Sequence, residues 1–120
     1  MSLRVYQFVV DGQPIGKQRP IFGQGRVRSG DKSRAYEKKI ALVARGFGVK
    51  VIPRPFRIRL ELVIHQHNWT TDVDNIFKSV CDALQGVAFE GDTQVDEIAA
   101  RRVRAPVGFE HVDVTVTEMG

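Results

Sequence analysis

The sequence predicts an α+β fold, with a mixed β-sheet and two main helices in the order β-α-β-α-β-β. Two observations support this prediction. Four stretches have the alternation or the β-branched composition of strands, and two others have apolar residues at helical spacing. The chain has 120 residues, an ordinary size for one domain, and contains no internal repeat or linker. We therefore expect residues 1–120 to form a single domain.

The first half of the chain is predicted to contain a strand, a long loop and a basic helix. Residues 3–10 are rich in β-branched and aromatic residues, as strands are. Residues 11–30 are rich in glycine and proline, which predicts a loop, and loops of this length usually serve a function. Between residues 31 and 47 a helix is indicated by apolar residues at helical spacing, namely Tyr36, Ile40, Val43 and Phe47.

The second half is predicted to contain three strands and a helix. Residues 57–65 alternate between apolar and polar side chains, which indicates a half-buried strand. Residues 73–85 have an apolar stripe at helical spacing, and Gly86 is suited to end this helix. Strands are predicted at residues 94–104 and 110–118, and we interpret these two as a hairpin.

The composition is that of a globular protein rather than a membrane or exported one. The chain is 42% hydrophobic and 27% charged, and no apolar run reaches the roughly 20 residues of a membrane span. The N-terminus lacks the pattern of a secretory signal. Cys81 is the single cysteine, which excludes an internal disulfide and fits a reducing compartment. We expect a cytoplasmic protein without membrane contact, with Cys81 buried and inert.

The formal net charge of +4 is unevenly distributed along the chain. Residues 1–59 hold 14 of the 18 Lys and Arg but 3 of the 14 acids, whereas residues 60–120 hold 4 bases and 11 acids. This asymmetry is typical of a protein that binds a polyanion with one part, unless the halves interleave and the charges mix. The candidates for DNA binding lie in the predicted loop, the first helix and a later strand: Lys17, Arg19, Arg26, Arg28, Lys32, Arg34, Arg101 and Arg102.

His65 and His67 form an H-x-H pair at the end of a predicted strand. This spacing can bind zinc, but no cysteine or third histidine lies nearby in the sequence. We therefore interpret both residues as surface histidines.

The acidic residues around the second helix are the main candidates for chemistry. Asp72 and Asp74 lie where a strand leads into the helix, and Asp92 lies in the turn before the next strand. Three carboxylates without a cysteine or histidine set favour Mg²⁺ or Mn²⁺, which would support phosphodiester hydrolysis beside Lys78. The alternative is structural: Asp72 caps the helix, Asp74 pairs with Lys78, and Asp92 is a turn residue. Spacing alone leaves both interpretations open.

These acidic motifs also match the pattern of a known family. The run Asp72-Val73-Asp74-Asn75-Ile76-Phe77-Lys78, then Asp82-Ala83-Leu84, then Asp92-Thr93-Gln94-Val95 resembles the RusA-type Holliday junction resolvases. Their pattern is D-[hydrophobic]-D-N-x-x-K, followed by D-A-L and by a D-D/G-D-x-x-V element. The Gly12-x-Pro14-x-x-Lys17-x-Arg19-Pro20 run, Tyr36 and the C-terminal strand are similar as well. The resemblance therefore covers nearly the whole chain.

The resemblance implies a crossover junction endodeoxyribonuclease with a RusA-like fold, active in DNA recombination and repair in a phage or prophage setting. It implies that Asp72, Asp74 and Asp92 bind Mg²⁺, with Mn²⁺ as a substitute, that Lys78 is catalytic, and that no organic cofactor is needed. It further implies a homodimer that binds four-way DNA junctions by their shape. The paired symmetric nicks would leave 5′-phosphate and 3′-hydroxyl ends.

The chain departs from the family in the residues just before Asp72. Some members carry arginines there, whereas this chain has Asn68-Trp69-Thr70-Thr71. Junction binding would then depend on the basic loop, on the first helix, or on Arg101, Arg102 and Arg104.

Trp69 and Phe22 are candidates for stacking on unpaired bases, although interior packing is the favoured interpretation of each. Two alternatives to a junction resolvase remain: a non-catalytic DNA-binding module, and a nuclease that acts on other branched DNA.

Overall fold

A computed structural model describes residues 3–17, 21–23, 26–28, 31–69 and 71–120, with the backbone alone for residues 21–23 and 26–28. The predicted α+β class and the order β-α-β-α-β-β of the main elements are confirmed. The elements are β1 Val5–Asp11, β2 Ile21–Gly23, β3 Arg26–Arg28, α1 Asp31–Gly46, β4 Ile58–Gln66, α2 Val73–Leu84, a 3₁₀-helix Asp92–Gln94, β5 Val95–Arg104 and β6 His111–Glu118.

The main sheet has four strands in the order β1-β6-β4-β5. Strand β4 pairs antiparallel with β6 and parallel with β5, and β6 pairs antiparallel with β1. The predicted hairpin of the last two strands is wrong, because β4 lies between β5 and β6. Parallel strands need a crossover connection, and α2 with its flanking turns provides it between β4 and β5.

Strands β2 and β3 form a separate two-stranded antiparallel sheet inside the segment that was predicted as a loop. The loop prediction is wrong for these six residues. Each strand has three residues, which is too short for a period-two pattern to stand out among the surrounding glycines.

One face of the main sheet is buried beneath both helices. In β4 every second residue from Ile58 to Gln66 is buried, as are the facing valines of β6. The helices contribute to the same apolar cluster with Tyr36, Ile40 and Ala44 from α1 and Ile76, Val80 and Leu84 from α2. The opposite face carries Val63, His65, His111 and Asp113, all partly exposed, and we call it the open face. Within the described residues, neither helix covers it.

The helix boundaries follow their local sequence. Helix α1 ends at Gly46, and Phe47 lies in the turn beyond it with 61% of its surface exposed. Phe47 was expected to belong to the buried stripe of this helix, and that expectation is wrong. The helix ends at Gly46, before Phe47, and Ala44 is the last buried residue of α1. Helix α2 is followed by Gly86 at a φ of 78°, the left-handed conformation predicted for the residue that ends it. In the part of the chain that the structure describes, no helix has the length and apolar character to cross a membrane.

Candidate active site and nucleic-acid interface

Asp72 occupies the position just before α2, where a capping side chain would lie. Its backbone is extended, with φ −69° and ψ 148°, and its carbonyl oxygen accepts a 3.2 Å hydrogen bond from the amide of Ile76. Its carboxylate, however, makes no capping hydrogen bond. Since a capping aspartate accepts a bond from an amide of the first turn, side-chain capping does not explain Asp72.

The segment before residue 18 packs against the start of α2. The amide of Lys17 donates a 3.1 Å hydrogen bond to the carbonyl of Asn75, and Gly16 lies directly against Thr71 and Asn75. A Cβ on Gly16 would come within 2.2 Å of Thr71 Cγ2, so this close approach requires glycine. The segment and the helix enclose an open cleft of about 350 Å³ that Asp72 lines together with Lys32.

Lys17 joins the two helices through ion pairs. Its Nζ lies 2.9 Å from Asp82 Oδ2 on α2 and 3.0 Å from Glu37 Oε1 on α1. The carboxylates of Asp82 and Glu37 raise the pKa of Lys17 above its ordinary value of 10.5. The lysine predicted to bind DNA thus has two acidic partners within the protein, and Asp82 of the D-A-L motif is one of them.

Asp92 begins the 3₁₀-helix, in a turn that Gln94 holds in place. Gln94 is fully buried, and its Oε1 accepts hydrogen bonds from the amides of Glu90 at 2.7 Å and Gly91 at 3.1 Å. Its Nε2 donates to the carbonyls of Ile52 and Phe56, each at 3.0 Å. Gln94 therefore satisfies four backbone groups and fixes the turn that presents Asp92.

A second open cleft, of about 240 Å³, lies beside the last two turns of α2. Lys78, Cys81 and Asp82 line it from the helix, and Asp92 lines it from the turn. Burial first, then the charges of Asp82 and Asp92, raise the pKa of the Cys81 thiol to about 11. The buried position predicted for Cys81 is confirmed, and the raised pKa disfavours the reactive thiolate.

The structure divides the predicted catalytic residues between the two clefts. Asp72 lines the first, Lys78 and Asp92 line the second, and Asp74 lies exposed on the first turn of α2. Strand β5 does lie beside β4, but the two are parallel. Asp72 therefore follows the carboxyl end of β4 while Asp92 precedes the amino end of β5, and the 12 residues of α2 span about 18 Å between these ends.

None of these four side chains makes a hydrogen bond or ion pair with another described residue. In particular, no ion pair joins Asp74 and Lys78 among the residues that the structure describes, so the structural alternative for that pair lacks its contact. The three aspartates also do not form a group whose ligand atoms converge, as judged over the described residues. Their all-oxygen, unpaired donors nevertheless suit Mg²⁺ in kind.

Trp69 lies just before α2 and is contacted by two arginines of β5. Its side chain is exposed over 52% of its surface, so the favoured interpretation of interior packing is wrong. The guanidinium carbons of Arg102 and Arg104 lie 4.6 and 5.1 Å from the centre of its ring. Arg102 also donates to the carbonyl of Thr71 at 2.9 Å. We call Trp69, Arg102 and Arg104 the Trp69 cluster. The side chain of Phe22, the other stacking candidate, lies outside what the structure describes.

The other predicted DNA-binding residues lie at several places. Lys32 and Arg34 are exposed on α1, and Arg101 is exposed on β5. Arg19 lies outside the described residues, and for Arg26 and Arg28 the backbone alone is described.

One cluster of potential ligands is not visible in the sequence. His65 and His67 form the H-x-H pair, but the structure brings His65 together with His111 and Asp113, whose ligand atoms lie within 4.8 Å of one another. His111 and Asp113 follow His65 by 46 and 48 positions in the chain, and the three residues meet because β4 and β6 pair, with His65 opposite His111. A correct strand pairing would have found them; spacing in the sequence could not.

The comparison with family models assigns the chain to a class of enzyme. A model described as endodeoxyribonuclease RusA matches residues 11–117, nearly the whole chain. The chain belongs to the RusA endodeoxyribonuclease family, a family of hydrolases that bind and cut DNA and act as Holliday junction resolvases in recombination.

No curated protein sequence matched the chain. Among solved structures, a chain of the HypE-HypF complex is similar at a TM-score of 0.40 and 15% identity, over 97% of this chain and 32% of that one. The protein Atu1372 of unknown function from Agrobacterium tumefaciens has a TM-score of 0.40 and 9% identity, over 82% of this chain and 71% of that one. The chain spans about a third of the first of these structures. Likeness at this level carries no functional conclusion.

Proposed function

We propose that this protein is a Mg²⁺-dependent, structure-specific endodeoxyribonuclease that resolves four-way DNA junctions by paired symmetric nicks in recombination and repair. Membership of the RusA family supports the reaction class. One observation supports the assignment of this activity to particular residues. Four charged side chains at or near α2 make no ion pair or hydrogen bond with another described residue: Asp72, Asp74, Lys78 and Asp92. We also propose that residues 1–120 act as one endonuclease domain, in the cytoplasm, as a homodimer.

Asp72 and Asp74 are the residues that would hold Mg²⁺ or Mn²⁺ together at the start of α2, and Asp92 is a proposed ligand at the other end of the helix, about 18 Å away within one chain. Carboxylate oxygens are the ligands these hard cations prefer. A bound metal would activate water and neutralise charge on the phosphate that is cut. Asp72 and Asp74 are two residues apart at the start of α2, where the amino end of the helix favours ionised carboxylates.

Lys78 is proposed to stabilise the developing charge on the phosphate. It lies one helical turn after Asp74 and lines the same cleft as Asp92, so its position along α2 is between these two aspartates. No ion pair with a described residue occupies its ammonium group, which is therefore free to interact with a phosphate oxygen.

The proposed DNA-binding surface combines exposed bases with the Trp69 cluster. Lys32 and Arg34 are exposed on α1, where they could contact the phosphate backbone. An exposed indole beside two guanidinium groups, close to Asp72, suits a base that is unstacked at the crossover. In this cluster the arginines near Asp72 come from strand β5. They do not come from the residues just before Asp72, where some family members carry them.

The second candidate function is a non-catalytic DNA-binding module. The observation in its favour is that the three carboxylates do not converge in the described part of this chain. Such a module would bind DNA with a salt dependence but without a need for a divalent metal.

Three substrates of equal length separate these functions: linear duplex, flap and four-way DNA, each incubated with and without Mg²⁺. The proposal predicts metal-dependent cutting of the four-way DNA at symmetric positions, with little cutting of the linear duplex. Faster cutting of the flap would replace the junction by another branched substrate. Binding of every substrate without any cutting in Mg²⁺ or Mn²⁺ would favour the non-catalytic module.

A further inference from the structure

We propose that the open face of the sheet carries a binding site for a transition-metal ion such as Zn²⁺ or Co²⁺, formed by His65, His111 and Asp113. His65 Nε2 lies 2.9 Å from Asp113 Oδ2, and His111 Nε2 lies 3.7 Å from Asp113 Oδ1. The three ligand atoms lie within 4.8 Å of one another. Because ligands of a tetrahedral zinc ion lie about 3.3 Å apart at bond lengths near 2.0 Å, side-chain rotations would close the site. His65 Nε2 donates a hydrogen bond to the Asp113 carboxylate, so binding of the ion would displace this proton to the other ring nitrogen or to solvent.

The hydrogen bond of His111 directs one ring nitrogen at the site. Its Nδ1 lies 2.8 Å from the carbonyl oxygen of Phe109, and a carbonyl can only accept, so Nδ1 carries a proton. In the neutral imidazole, Nε2 then has the free lone pair, and it is Nε2 that faces Asp113. Metal-binding histidines usually donate their other N–H to a carbonyl or carboxylate in this way.

The backbone around the site is held by the sheet. His65 and His111 are directly opposite each other on the two central strands, and Asp113 lies two residues along β6 on the same face. The two rings are stacked at 3.8 Å with a 15° angle between their planes. Binding would turn the rings out of this stack without moving the strands. The side chains of His65, His111 and Asp113 are 23, 29 and 43% exposed, so an ion can reach them from solvent.

The donor set determines which ions suit the site. Two imidazole nitrogens and one carboxylate oxygen favour Zn²⁺, Co²⁺ or Ni²⁺ over Mg²⁺, which prefers oxygen ligands. Three protein ligands would leave at least one position for water or for an outside ligand. Asp11, opposite His111 on β1, places a further carboxylate next to the site.

This site is independent of the proposed nuclease chemistry. The open face is the side of the sheet away from α2, and Asp72 and Asp74 lie at the start of that helix. Loss of one site should therefore leave metal binding at the other intact. The experiment can be run on the full chain without DNA, so its failure and the failure of the nuclease proposal are distinguishable.

The test is a titration of the full, untagged, metal-free chain with Co²⁺, followed by visible absorption, and with Zn²⁺, followed by calorimetry. We expect one ion per chain, retained in excess Mg²⁺. Asp113→Asn and His111→Ala should each weaken binding at least about tenfold. His67→Ala is the matched control because it removes the third histidine of the chain, and it should change nothing. Asp74→Asn should also leave Co²⁺ binding unchanged.

A second readout guards against variants that fail to fold. Zn²⁺ should raise the melting temperature of the wild type but not that of Asp113→Asn, which preserves the size of the side chain. The proposal is overturned if the wild type shows no saturable binding of Co²⁺ or Zn²⁺. It is also overturned if His67→Ala weakens binding as much as His111→Ala does.

Discussion

Gln94 is the residue whose replacement gives the most direct test of how the Asp92 turn is held. Its side chain is fully buried and makes four hydrogen bonds, all to backbone groups. Gln94→Leu keeps nearly the same volume but leaves two amides and two carbonyls without these partners. A buried backbone group without a partner costs about 1–3 kcal/mol, and the lower value suits groups that solvent can partly reach.

At about 1 kcal/mol each, the four groups would cost about 4 kcal/mol, and the apolar leucine would offset about 1–2 kcal/mol. We therefore expect Gln94→Leu to lower the free energy of unfolding by about 2–3 kcal/mol. Urea unfolding followed by circular dichroism measures this change. Gln7→Leu is the matched control: Gln7 is exposed on β1, so its change should stay within about 0.5 kcal/mol. A Gln94→Leu value as small as that of the control would refute the reasoning.

Three further variants test the residues around the clefts. Asp72→Ala should lower the free energy of unfolding by no more than about 0.5 kcal/mol, because its side chain makes no capping hydrogen bond, yet it should abolish cutting. Lys17→Met should destabilise the protein at neutral pH. Because Asp82 and Glu37 raise the pKa of Lys17, the difference from wild type should be present from neutral pH up to pH 10.5 and disappear as the pH rises through the folded-state pKa. Trp69→Ala should weaken junction binding by about 1–3 kcal/mol per stacked base.

Unfolding curves and binding titrations decide these outcomes. A loss of about 1 kcal/mol or more in Asp72→Ala would return that residue to the role of a helix cap. Lys50→Met, a change at an exposed lysine, should show no such pH-dependent loss, and equal losses in both variants would contradict the ion-pair account. Trp69→Phe should retain most of the binding; if Trp69→Ala binds as tightly as wild type, stacking is excluded.

Most of the fold could be predicted from local sequence because burial imposes a period. The alternation in β4 and β6 and the helical spacing in α1 and α2 each mark one buried face. Strand pairing could not be predicted in the same way. Strand β5 is an edge strand without regular burial, so nothing local identifies β4 as its neighbour or separates it from β6.

The roles of Asp72, Asp74 and Asp92 stay a prediction from the motif, and their geometry could not be predicted from the sequence. Their relative positions depend on the direction of β5 against β4, which motif spacing does not contain. The cluster of His65, His111 and Asp113 was missed for a related reason, since it arises from a cross-strand register. The exposure of Trp69 likewise depends on arginines that β5 brings from a distant part of the chain.

The central claim is that the carboxylates of α2 serve catalysis, and cutting of a four-way junction by Asp74→Asn tests it most directly. Asp31→Asn is the matched control, because Asp31 is also an exposed acid in the first turn of a helix. With Mg²⁺ present, we predict that wild type and Asp31→Asn cut the junction at similar rates, while Asp74→Asn binds it with similar affinity and leaves it intact. Cutting by Asp74→Asn at the rate of the control would contradict the account.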